Sequence, residues 1–191
     1  MSENLPYNNW PVLFSAEEIY ETVKAMSKKI GSYYKEKPFT VVCILDGGLF
    51  FCVDLLRNLA FETSGNRVRF EVVKAKSYVN TKSGPLQFNE LSLTEEKIRG
   101  QNILLVDDVY ETGQTIFTVS EFIRGFKPAE LQIATLLVKD CPRQHEVKLH
   151  YTGFTGIDPN LWLVGYGLDD NGRYRNLKNI RVMPTAESDG R

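Results

Sequence analysis

Apolar positions along the chain recur with two different periods, and the switches between them mark out the elements. Ser15-x-x-Glu18 reads as a capping box, in which two side chains satisfy the backbone N–H groups that open a helix. Ile19, Val23, Met26 and Ile30 follow at helical spacing and are expected to face a core. Thr40 to Leu45 is a short β-rich run closed by Asp46-Gly47-Gly48, and Leu49 to Leu59 reads as the next helix. Val68, Phe70 and Val72 alternate as a strand with one buried face. Ile103 to Val106 is apolar throughout, and Thr115 to Phe126 is a helix with Ile116, Val119 and Ile123 inward. Leu131 to Val138 and Leu161 to Val164 are two further strands. Strands apolar throughout are covered on both faces. This order therefore predicts an α/β fold with a mainly parallel central sheet flanked by helices.

Residues 77–90 follow neither period. They are polar, contain Gly84-Pro85 and form a loop of the length that serves as a lid or stays disordered. Thr185 to Arg191 reads as a frayed tail. No repeat, low-complexity tract or Pro/Gly/Ser linker divides the rest. Residues 1–191 are thus expected to form one domain, with a core over about 12–182, long enough to bury about 70 % of its unfolded surface.

A net charge of −1 removes any global electrostatic case for nucleic acid or a membrane surface. The apolar runs fall well short of the roughly 18 residues of a membrane span, and the polar N-terminus with Glu3 is unlike a signal peptide. Cys43, Cys52 and Cys141 are odd in number and lack C-x-x-C spacing, which argues against structural disulfides and for a reducing cytoplasm. His145 and His150 have no Cys or His partner at ligand spacing and read as surface or strand-edge residues. Arg67, Arg69, Lys74 and Lys76 read as a solvated basic strand face.

The most informative stretch runs from Ile103 to Thr115, where an apolar strand meets Asp107-Asp108 and a Thr112-Gly113-Gln114-Thr115 turn opens a helix. A helix N-terminus offers N–H groups and a positive dipole end to a phosphate. Gly113 permits close backbone approach, and Thr112 and Thr115 add hydroxyl donors. The two carboxylates accept hydrogen bonds, which suits sugar hydroxyls or a metal. Together these features describe a phosphorylated-sugar site; the alternative at this point is an acidic strand end beside a capped helix.

The stretch resembles the phosphoribosyl pyrophosphate (PRPP) motif of type I phosphoribosyltransferases, and the likeness extends over roughly residues 12–182. It is closest to the hypoxanthine-guanine branch. Val42 to Gly48 resembles that family's pyrophosphate loop, often built around a cis non-proline peptide, and Ser77-Tyr78 resembles the start of its mobile lid. Leu136 to Lys139 resembles the strand carrying a purine-reading lysine, and Trp162 to Asp169 with Arg175 the base-stacking and metal segment.

The resemblance implies the family's fold, with a small hood beside the sheet, and a Mg²⁺-dependent transfer. A 6-oxopurine would join PRPP to give a nucleoside 5′-monophosphate and pyrophosphate. It implies that Asp107 and Asp108 hold the ribose hydroxyls, and that Thr112, Gly113, Gln114 and Thr115 cradle the 5′-phosphate. Asp46, Gly47 and Ser77 fall in its PRPP-binding set. Lys139 would donate to the purine O6, Trp162 stack on the base and the Leu163 backbone read its edge. Asp169 would bind Mg²⁺ beside the base, with Asp107 and Asp108 reaching the metal through ribose hydroxyls or water. Glu111, Tyr78 and Arg175 would be catalytic: base at N7, cover over the reacting centre and anchor for pyrophosphate. A homodimer or homotetramer is also implied. The sequence departs from the family twice, with Glu111 where an Asp is usual and Asp46 where the loop usually carries a basic residue. Two other readings stand beside this one: a regulatory protein of the same fold binding nucleotide or RNA, and a xanthine-preferring enzyme.

Overall fold

Ser15 caps the first long helix as expected. Its hydroxyl accepts from Glu18 N at 3.2 Å while Ser15 N donates to Glu18 Oε2 at 2.8 Å. The computed structural model describes residues 6–63, 67–74 and 93–184. A 3-10 turn (Pro6–Asn9) leads into β1 (Val12–Phe14), α1 (Ala16–Tyr34), β2 (Phe39–Leu45), α2 (Leu49–Glu62) and β3 (Val68–Lys74). Then come α3 (Glu95–Ile98), β4 (Asn102–Tyr110), α4 (Gln114–Gly125), β5 (Glu130–Lys139), β6 (Tyr151–Ile157), β7 (Trp162–Val164) and β8 (Ile180–Met183).

Five strands form a parallel sheet in the order β3-β2-β4-β5-β6. Side chains alternate across its two faces. Val41, Cys43, Leu104 and Val106 meet Ile19, Val23, Met26 and Leu55 of α1 and α2 on one side. Val42, Ile44, Ile103 and Leu105 meet Ile116, Val119 and Ile123 of α4 on the other. Both faces are dry, which is why these strands read as unbroken apolar runs. A second, antiparallel sheet, β1-β8-β7, makes the hood. Leu163, Tyr166, Leu168 and Ile180 carry it into the α1–α2 core.

Two expectations change. Val68 and Val72 pack against the core, but Phe70 between them is 44 % exposed, because β3 is an edge strand that the helices cover only in part. Val73, on the opposite face, is fully buried. The strand through Ile103 also does not stop at the paired acids; it runs on to Tyr110. The lid at 77–90, Lys76 and the tail at 185–191 lie outside the described residues.

His150 sits where β6 joins the sheet. Its ring Nδ1 accepts from Ile133 N at 3.1 Å, and its backbone N–H donates to Ile133 O at 2.9 Å. Burial, then the nearby Lys148, holds the imidazole below its ordinary range despite the opposing pull of Glu130. A lowered folded value means that the unfolded chain takes the proton first. The stability that the neutral ring contributes is therefore present above about pH 6.5 and lost as pH falls through the folded value. Wild type is expected to lose more melting temperature between pH 7 and pH 5 than His150→Gln does. A hydrogen bond worth about 1 kcal/mol corresponds to about 2–4 °C in a chain of this size. Parallel pH profiles for the two proteins would remove the assignment.

Candidate active site

Parallel strands bring their C-terminal ends to one edge, and loops leaving that edge can converge there. The ends of β2, β4 and β5 do so beneath the hood, around a cleft of about 350 Å³. It gathers Gly47, Asp107, Asp108, Glu111, Thr115, Lys139, Trp162, Leu163, Asp169 and Arg175 from five separate stretches of chain. A smaller cavity of about 160 Å³ is lined by residues 109–116, including Thr112, Gly113, Gln114 and Thr115. The two share Val109, Glu111 and Thr115. A cup for a phosphate thus stands beside a room for the rest of a ligand.

The N-cap Gly113 has no side chain, and Thr112 Oγ1 accepts only from Gln114 N, at 3.4 Å, so the next backbone donors of the first turn of α4 are left for the cup. Gly113 holds the turn at φ +83°, and a Cβ there would stand 2.1 Å from His145 O. The glycine is thus required by the loop packed behind the turn as well as by any ligand in front. Gln114 contributes main chain, since its amide is engaged by Thr118 and His145. Phe117 stacks on the His145 ring at 4.0 Å, so His145 is packed rather than free at the surface.

Asp107 is 5 % exposed, and Asp108 is half-buried. Burial, then the adjacent Asp108 charge, pushes Asp107 well above the usual carboxylate range. Burial raises Asp108 too, against the lowering effect of its hydrogen bond with Asp107 and the Arg175 charge. Gly47 lies against this pair so closely that a Cβ would stand 2.0 Å from Asp108 Oδ2. The peptide before it, Leu45–Asp46, is cis.

Three cations at or beside the cleft are paired with acids. Lys139 Nζ, with a side chain only 12 % exposed, is 3.5 Å from Glu111 Oε1 and donates to Pro159 O at 3.3 Å. Arg175 Nη2 is 2.7 Å from Asp169 Oδ1, and Asp169 Oδ2 accepts from Gly172 N at 2.6 Å. Lys74 Nζ bonds both oxygens of Asp46 at 2.9 Å. The parallel register sets Lys74 beside Leu45, so the acid that breaks the loop's expected pattern carries its own counter-ion from β3. Trp162 is 50 % exposed and presents a ring to the cleft instead of filling the core.

Among the described residues no group of three or more His, Cys, Asp or Glu side chains forms a ready-made metal cage. The oxygen donors present suit a hard cation that completes its shell with ligand oxygens and water. Asp46 lies at the edge of the site and does not line the cleft; Ser77 and Tyr78 lie outside the described residues. Sequence reasoning missed Arg143, whose guanidinium donates to the carbonyls of Glu111 and Lys139. A lone arginine in a loop leaves no periodic signal, and its partners here are backbone groups.

The phosphoribosyl transferase domain family matches residues 12–171. The hypoxanthine-guanine-xanthine phosphoribosyltransferase of Tritrichomonas foetus is 30 % identical over 174 residues, covering 90 % of each chain. The hypoxanthine-guanine phosphoribosyltransferase of Bacillus subtilis is 30 % identical over 175 residues, covering 92 % of this chain and 93 % of the relative. A solved structure of a hypoxanthine phosphoribosyltransferase from Staphylococcus aureus superposes with a TM-score of 0.85 at 28 % identity, covering 100 % of both chains.

Proposed function

The chain belongs to the phosphoribosyl transferase domain family, and from that premise we propose a purine-salvage enzyme that joins hypoxanthine or guanine to PRPP. The observation that carries this reading is the side-by-side placement of Lys139 and Glu111 in one cleft with the phosphate cup and the open face of Trp162. A 6-oxopurine protonated at N7 presents an acceptor, O6, next to a donor, N7–H. A lysine beside a carboxylate matches that edge, whereas the amino group of adenine places donor against donor.

In the reaction the purine N9 lone pair attacks the anomeric carbon of PRPP. The bond from that carbon to pyrophosphate breaks with inversion, and the electron pair leaves on pyrophosphate. The N7 proton passes to Glu111, a general-base contribution of about 10²–10⁴-fold. Arg175 exchanges Asp169 for the departing pyrophosphate, whose growing charge it offsets through charge-assisted hydrogen bonds. Asp107 and Asp108 take the ribose hydroxyls, and the α4 N-terminus takes the 5′-phosphate. Asp169, once released from Arg175, would hold Mg²⁺, with Asp107 and Asp108 contributing through ribose hydroxyls or water, and the metal would supply charge neutralisation for the leaving pyrophosphate. The 77–90 segment, with Ser77 and Tyr78, is the lid that excludes water. A homodimer or homotetramer and a cytoplasmic location complete the proposal; the free thiols of Cys43, Cys52 and Cys141 support the latter.

The test is PRPP consumption and nucleotide formation with hypoxanthine, guanine, xanthine, adenine and uracil supplied singly, with EDTA and with Mg²⁺ restored. Hypoxanthine and guanine are expected to react only with metal present, adenine far more slowly and uracil not at all. Xanthine turnover measures how broadly O6 and its neighbours are read. Nucleotide or RNA binding without PRPP turnover on any base would replace the enzyme by the regulatory reading.

A further inference from the structure

The connection from β5 to β6 supplies no group to the reaction proposed above, yet it grips the two residues at its centre. The β4–β5 ladder ends with the pair Tyr110↔Val138. The next pair in register is Glu111 and Lys139, the acid and the cation of the purine edge, and β4 has already ended at Tyr110. Arg143 stands in for the missing rung. Its Nη1 donates to the Glu111 carbonyl, and its Nη2 donates to the Lys139 carbonyl at 2.5 Å. The guanidinium carbon lies 4.5 Å from the centre of the Tyr110 ring. Tyr110 is itself fixed, its hydroxyl donating to His145 O at 3.1 Å and accepting from Val147 N at 3.0 Å.

We propose that Arg143 is a positioning residue which sets the gap between the Glu111 carboxylate and the Lys139 ammonium, and thereby selects the 6-oxopurine edge. The proposal rests on the purine-transfer reading. O6 and N7 lie so close on one edge of the base that a single side chain can contact both. A donor and an acceptor serving those two atoms must therefore be held close together on separate strands. A planar, delocalised fork can satisfy two carbonyls at once and stack on an aromatic face, whereas an ammonium is a point charge. The phosphate cup is secured independently. Thr112 O accepts from Gln144 N at 2.9 Å and from His145 N at 3.2 Å, both backbone donors that need no Arg143 side chain. This division lets a loss of edge geometry be separated from a general loosening of the turn.

The experiment compares Arg143→Lys and Arg143→Ala with wild type in kcat, in KM for PRPP and in the kcat/KM ratio of hypoxanthine to adenine, with melting curves alongside. Arg143→Lys keeps the charge and the stem over Tyr110, so it remains informative should Arg143→Ala fail to fold. Both variants are expected to lose about 10²-fold in kcat on hypoxanthine, the scale of an ångström of misplacement. The hypoxanthine-to-adenine ratio should narrow, and KM for PRPP should stay close to wild type. Guanidinium ion added at non-denaturing concentration should restore part of the kcat of folded Arg143→Ala. A loss confined to KM for PRPP, with base discrimination intact in Arg143→Lys, overturns the proposal and makes Arg143 a strut of the turn. Wild type inactive on every 6-oxopurine overturns the functional reading, and this proposal with it.

Discussion

Glu111→Gln is expected to lower kcat by about 10²–10⁴-fold, roughly 3–5 kcal/mol of transition-state stabilisation, with little change in PRPP binding. The amide has nearly the shape of the acid but cannot take the N7 proton. PRPP binding should survive because the phosphate cup is main chain, and Glu111 meets its surroundings there through its carbonyl, which Arg143 holds. The substitution also releases Lys139 from its one carboxylate contact in the cleft, so KM for hypoxanthine should not rise. Glu111→Asp isolates reach at constant charge, since the shorter acid draws back from Lys139 by one methylene. A small change in kcat would mean that the acid meets N7 within either reach. A collapse would mean that the site is shaped around the longer side chain. The rival account makes Glu111 a helix-terminal acid worth about 0.3–1 kcal/mol of stability. Glu111 precedes the Gly113 cap by two residues and so lies outside the first turn, where that effect fades. If folded Glu111→Gln keeps wild-type kcat, the rival stands and the N7 assignment goes.

The parts of the fold legible in the sequence are those buried on both faces. β2, β4 and β5 carry helices on each side, so Val41 to Ile44 and Ile103 to Val106 announce themselves as apolar runs. β1, β6 and β8 do not. β1 and β8 are short and sit in the hood, while β6 is an edge strand interrupted by Gly153 and Gly156. Edge position also explains Phe70, whose apolar side chain fits the alternation but finds no helix above it. The site was more legible than the fold around it, because chemistry at strand ends leaves compact signatures such as Asp107-Asp108 before Thr112-Gly113. Pairings across strands leave none. That Asp46 bonds Lys74, or that Arg143 bridges Glu111 and Lys139, depends on register and on backbone carbonyls.

Lys139→Gln is expected to abolish most of the discrimination between hypoxanthine and adenine. Its ammonium is nearly enclosed, and its contacts in the cleft are the Glu111 carboxylate and the Pro159 carbonyl. An enclosed donor matched to an acceptor rejects the mismatched base strongly, because a wrong partner leaves buried polar groups unsatisfied; such sites reach about 10⁴–10⁵-fold. The Gln amide presents both a donor and an acceptor, so it can satisfy O6 or an amino group and has no reason to prefer either. Loss of a charged hydrogen bond to O6 should cost about 1.5–3 kcal/mol, roughly 10–10²-fold in kcat/KM for hypoxanthine. Adenine should gain as hypoxanthine falls, and this opposite movement is the informative reading. A general disturbance of the cleft would lower both. Lys139→Met separates the two parts of the effect, because a thioether keeps the stem and removes the donor without supplying an acceptor for the amino group. It should lose hypoxanthine activity and gain little with adenine. If a folded Lys139→Gln keeps the wild-type ratio of kcat/KM for the two bases, O6 is read elsewhere, and the Lys139–Glu111 pair is only an ion pair at the mouth of the cleft.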